Sequence, residues 1–147
     1  MNFNELAAEI TIFLTPFLPF LAKGGESMAK ELGQRFGQTV FDKAKSIWNT
    51  IESASEDSTF KHATMALVEN PQSTPFQLAL TTALVSYLEK RPEEAAKITI
   101  LMAEGEAIQS ILVDRKGEVG NILQELKKTG RQDVIVKGKA NDITQKQ

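Results

Sequence analysis

The chain has 147 residues, 41% apolar and 24% charged, with a formal net charge of −2 and no cysteine. That length suits one domain with a real hydrophobic core, and the composition is that of an ordinary soluble protein. The slight negative charge and the lack of a basic stripe interleaved with aromatics argue against nucleic-acid binding. Without cysteine there are no disulfides, thiolate metal sites or cysteine nucleophiles, which fits a reducing cytosol.

Glu5 sits in the first turn of a first helix over 5–22, with Asn4 as the expected N-cap. Its core is the uncharged run 10–22, which contains Ile10, Phe13, Leu14, Phe17, Leu18, Phe20 and Leu21 together with Pro16 and Pro19. Thirteen helical residues reach about 20 Å, short of the roughly 30 Å hydrocarbon core of a bilayer. Yet the run is more apolar all round than one face of a small bundle requires. It reads as a buried core helix in the resting protein and as a candidate membrane-inserting helix on activation. The two prolines must kink or restart it, because each removes a backbone donor. Glu5 and Glu9 precede the run and no Lys or Arg does, so a secretory signal is not expected.

Gly24 and Gly25 close that segment. A long amphipathic helix is expected over 26–53, with Met28, Leu32, Phe36, Val40, Ala44, Ile47, Trp48 and Ile51 at three- and four-residue spacing. Gly25, Ala29, Gly33 and Gly37 recur every four residues on a neighbouring face. Glycine inside a helix costs about 1 kcal/mol relative to alanine, and a small-residue groove that seats another helix would offset this. The partner is either the first helix within a soluble bundle or a helix met in the membrane.

Residues 55–58 read as a turn and cap, followed by a short helix over 59–69. Asn70-Pro71 stops it, and Pro75 sits early in a helix over 75–90. Arg91-Pro92 breaks the chain again, and Pro92 with Glu93 and Glu94 opens a helix over 92–103. No strand is required in this part, so the expected fold is all-α, a bundle of four to five helices occupying 1–104. Residues 105–130 form a helical extension, with a turn or two at 107–113 and a short helix at 119–128.

The tail, 131–147, differs in kind. Val134, Ile135 and Val136 are β-prone, and Gly138, Asn141, Ile143 and Gln145 follow in a polar stretch. Alone it buries too little to fold and is expected to be disordered. Stacked on copies of itself, it has the composition for a cross-β ladder with Asn and Gln in register, so these residues are a candidate amyloid motif. The plainer alternative is a solvated terminus.

No constellation points to catalysis. His62 is the sole histidine, beside Lys61 and without a carboxylate cluster in helical reach. Glu93/Glu94 and Glu104/Glu106 read as helix-end charges, and no P-loop, dinucleotide fingerprint or nucleophile elbow occurs. A non-enzymatic protein with no cofactor or metal is expected.

The layout as a whole resembles bacterial Bell domain proteins. It combines the N-terminal Pro-Phe-Leu-Pro-Phe-Leu segment, a glycine pair, a long helix with Ala29, Gly33 and Gly37, a proline-punctuated bundle and an Asn/Gln tail. Those proteins are prokaryotic counterparts of fungal HeLo domains and of the four-helix killer domain of necroptosis. The resemblance covers about 5–104 and 131–145, and the tail departs from the best-known amyloid motifs by ending soon after Ile143. It implies a cytoplasmic effector that moves to the inner membrane, self-associates, contacts lipids and forms pores. A nucleotide-binding oligomerising receptor with a matching motif would template the tail. The alternative is an adaptor whose inert bundle recruits a signalling partner.

Overall fold

The computed structural model describes residues 2–54, 58–104 and 106–141, with side chains described for 2–53, 60–104 and 106–128. The all-α expectation holds: the described residues contain helices and no strand. They form nine α-helices and one 3-10 turn where four to five longer helices were expected, because prolines and a glycine cut the chain more finely.

The first helix, α1 (Phe3–Leu14), starts two residues earlier than expected. Asn2 is its N-cap, and the Asn2 side chain accepts from the Glu5 backbone N–H at 3.1 Å. This satisfies one of the orphan donors of the first turn. At Pro16 the chain tightens into a 3-10 turn, Thr15–Phe17, and then restarts as α2 (Leu18–Lys23) with Pro19 in its first turn. The proline pair therefore produces a change of helix type and a restart.

The long helix expected over 26–53 is two helices, α3 (Glu26–Phe36) and α4 (Gln38–Ala54). The break is Gly37, at φ +92 and ψ +143. The remaining elements are α5 (Ser58–Glu69), α6 (Thr74–Lys90), α7 (Pro92–Ala103), α8 (Glu106–Asp114) and α9 (Lys116–Asn141). Ser73 caps α6 by accepting from the Phe76 N–H at 3.3 Å. The expected 55–58 turn falls largely outside the described residues.

Helix α1 is the centre of the molecule. It packs most extensively on α6, then on α9, with further contacts to α8 and α4. Its main face joins the large core with Phe41, Ile47, Ile51, Leu80, Leu84 and Leu88. Its opposite face carries Ala8 and Ile12, which pack on Val119 and Ile122 of α9 with Leu123 and Leu126 alongside. Helices α8 and α9 are thus packed into the body: Ile108 and Leu112 of α8 enter the main core, and Val119 and Ile122 of α9 seal the far side of α1. Helix α9 starts earlier than the expected 119 and extends beyond the expected 128 to Asn141.

Candidate functional site

The segment α1–turn–α2 combines the greatest apolarity with the most central position. Eight consecutive-turn residues of α1 are buried, from Leu6 to Leu14, apart from the half-buried Glu9. Of the proposed inserting residues, Ile10, Phe13, Leu14, Phe17 and Leu18 are buried, whereas Phe20 and Leu21 are half-buried against the core. Phe17 is the hub of an aromatic group, with ring centroids 5.5 Å from Phe13, 4.9 Å from Phe36 and 6.1 Å from Phe41. Phe20 adds a contact at 5.2 Å to Phe41. Such tilted and stacked pairs add about 0.5–1.5 kcal/mol each beyond area burial.

Including its flanks, the segment is longer than the run 10–22 suggested. Phe3–Lys23 is 21 residues, long and apolar enough by length and composition to cross a membrane, and it is mostly buried in the fold. Drawn out as one straight helix at about 1.5 Å per residue it would reach about 32 Å, enough for a bilayer core, where the run 10–22 by itself falls short. A core helix of a soluble protein meets the same measure. No other described helix does.

A polar seam that hydrophobic periodicity did not reveal lies inside this apolar centre. Thr11 and Thr81 are fully buried, and their Oγ1 atoms are 2.7 Å apart between α1 and α6. Thr11 Oγ1 also lies 3.0 Å from the Ala7 carbonyl, and Thr81 Oγ1 lies 2.8 Å from the Gln77 carbonyl. Thr15 donates to the Thr11 carbonyl at 2.6 Å, and Gln77 Nε2 donates to the Pro71 carbonyl at 3.0 Å. The sequence signal is the four-residue spacing of Ala7, Thr11 and Thr15, small or hydroxylic residues on one line of an otherwise bulky helix.

The expected groove of Gly25, Ala29, Gly33 and Gly37 does not form a helix-packing surface. Gly25 precedes α3 at φ +119 and Gly37 follows it at φ +92, so neither lies within a continuous helix. A Cβ on either would meet nothing within 4 Å. At Gly33 the near neighbour is Gln38 Oε1, at 3.0 Å from an ideal Cβ, rather than another helix. Ala29 alone packs against the core, half-buried. Gly25 and Gly37 permit the turns at the two ends of α3, where a positive φ selects glycine.

Electrostatics around the segment are sparse. Lys23, at the end of α2, pairs with Glu69 of α5 at 3.5 Å, both exposed. Of the two acids in Phe3–Lys23, Glu9 is the half-buried one, and burial, followed by the nearby Glu5 charge, raises its pKa above the ordinary carboxylate value. A cleft of about 330 Å³ opens beside Ala22, floored by Trp48 and Phe60 and edged by Glu52, Lys61 and Met65. Its Thr64 hydroxyl is engaged with the Phe60 carbonyl at 2.9 Å. His62 is exposed, and among the described residues no group of acids and histidines is arranged to hold a metal ion.

The amyloid-motif residues Val134, Ile135, Val136, Gly138, Asn141, Ile143 and Gln145 lie outside the residues with described side chains. Comparison with protein-family models, with curated proteins and with solved structures gives no match.

Proposed function

We propose that this protein is a membrane-targeting effector of a bacterial cell-death pathway, held inactive by burying its membrane-active segment at the centre of the fold. The observation that carries the reading is the position of Phe3–Lys23. The one described segment with the length and apolarity of a membrane span is covered on one face by α6 and α4 and on the other by α9. A helix apolar all round has two stable environments, a protein core and a bilayer. The layout's resemblance to Bell domain proteins supports the same reading. In this scheme a nucleotide-binding oligomerising receptor templates the tail, self-association follows, and the released segment permeabilises the inner membrane.

The test uses the polar seam. Thr11→Cys with Thr81→Cys places two thiols where hydroxyl oxygens lie 2.7 Å apart, in a chain that has no other cysteine. A disulfide needs the two Cβ atoms about 3.5–4.5 Å apart, and its closure on oxidation is checked by loss of free thiol. Dye release from lipid vesicles should be blocked in the oxidised variant and restored by dithiothreitol. Equal release with the bond closed would rule out departure of α1 from α6. Release by neither the wild-type nor the reduced protein would favour the adaptor alternative.

A further inference from the structure

The cleft beside Ala22 is built from three helices. Trp48 of α4 and Phe60 of α5 lie at its floor with ring centroids 5.6 Å apart, and Ala22 near the end of α2 forms a further wall. Met65 at its edge is 39% exposed. The volume of about 330 Å³ falls at the small end of the range for ligand sites, about 300–1,000 Å³.

Three polar groups at this cleft are unspent. Trp48 is only 6% exposed, yet among the described residues its indole N–H makes no hydrogen bond. A buried indole N–H ordinarily has an acceptor, so one without a partner calls for an explanation. Glu52 of α4 and Lys61 of α5 edge the same cleft and are both exposed. Among the described residues they pair neither with each other nor with any other side chain. The Thr64 hydroxyl, by contrast, is already committed to the Phe60 carbonyl. What the cleft offers is an aromatic and thioether bed, one buried donor and one charge of each sign.

We propose that this cleft binds a free apolar α-amino acid. The ligand's ammonium pairs with Glu52, its carboxylate accepts from Lys61 and from the Trp48 N–H, and its side chain lies against Phe60 and Met65. Each unspent group then has the partner it lacks. A simple anion would face the Glu52 carboxylate, and a simple cation would leave Lys61 and the indole N–H unserved. A zwitterion with an apolar body matches all three. Because Ala22 supplies a wall, the site is complete only while α2 is docked, so bound ligand stabilises the fold by mass action. This holds whether or not the N-terminal segment enters a bilayer.

Trp48 is the sole tryptophan, so its emission reports on the cleft itself. Titrating the full chain with L-phenylalanine should give a saturable change in Trp48 fluorescence and a rise in melting temperature. Glu52→Gln and Lys61→Gln, both surface changes, should each weaken binding about tenfold or more, the range for a charge-assisted hydrogen bond. Phenethylamine, which lacks the carboxylate, hydrocinnamate, which lacks the ammonium, and glycine, which lacks the apolar body, should each bind more weakly by a similar factor. Absence of both a saturable emission change and a heat of binding in the parent overturns the proposal. So does unchanged affinity in the two charge variants. Phenethylamine or hydrocinnamate binding as tightly as L-phenylalanine also overturns it, by reducing the cleft to an apolar depression.

Discussion

Thr11 and Thr81, seventy positions apart in the chain, bring their hydroxyl oxygens to 2.7 Å in the fully buried contact between α1 and α6. Two hydroxyl protons serve three short contacts, the mutual one and those to the Ala7 and Gln77 carbonyls. One contact therefore always lacks a proton. Replacing either threonine with valine leaves the other free to donate to its own helix carbonyl. Each single change should cost about 1 kcal/mol, in the range of an ordinary buried hydrogen bond. Because paired apolar groups of the same shape restore a matched interior, the Thr11→Val/Thr81→Val double variant should be no less stable than either single. A urea-denaturation cycle measures this. A double variant that loses the sum of both singles would show that the hydroxyls act independently.

Phe17 joins the N-terminal segment to the rest of the core, touching Phe13, Phe36 and Phe41 rings from a fully buried position. Phe17→Ala should cost about 3–5 kcal/mol, the usual range for deleting a buried aromatic. Leu14→Lys or Phe17→Lys would bury an unpaired ammonium and should unfold the resting protein. Loss of toxicity in those lysine variants would therefore reflect loss of fold, and circular dichroism should show it. The reversible α1–α6 disulfide isolates insertion from folding.

What the sequence made legible, and what it hid, follows from what periodicity can register. The proline-marked ends of α6 and α7 were readable because Pro75 and Pro92 each act locally. The burial of Phe13, Leu14 and Phe17 was readable from apolarity alone. The break at Gly37 was not, because three- and four-residue spacing runs on across it and a backbone torsion leaves no mark on that spacing. The two-sided burial of α1 was missed because Ala8 and Ile12 lie off its dominant face, and their cover, α9, is more than a hundred residues away. The threonine seam escaped for the same reason: a pairing between distant hydroxyls is a property of the assembled bundle.

The tail offers a test that needs none of the bundle. A peptide of residues 131–147 should be disordered when fresh and form β-rich fibrils on incubation. It combines the Val134-Ile135-Val136 triplet with Asn141 and Gln145, and it has no proline. Lys137 and Lys139 oppose stacking by like-charge repulsion, so added salt should accelerate assembly by screening them. Ile135→Pro removes a ladder donor and should block it. Thioflavin fluorescence and electron microscopy report the outcome. A peptide that stays monomeric at high concentration and salt would remove self-templating as the trigger.

Glu9 gives the fold a defined response to pH. It is half-buried in α1, and its pKa is raised first by burial and then by Glu5. A carboxyl whose folded pKa lies above its unfolded value binds its proton more tightly in the native state. Its contribution to stability is therefore fully present below the unfolded value of about 4.5 and is lost as pH rises through the raised folded value. At neutral pH the charged carboxylate works against the bundle, so Glu9→Gln should raise the melting temperature at pH 7 while changing it little near pH 4. Glu9 is also the charge closest to the middle of Phe3–Lys23, where an ionised carboxylate opposes entry into hydrocarbon. Acidification should thus stabilise the closed fold and, on the effector reading, ease insertion of any α1 that does escape. A Glu9→Gln variant that melts at the wild-type temperature at pH 7 would assign the pH response of the fold to another group.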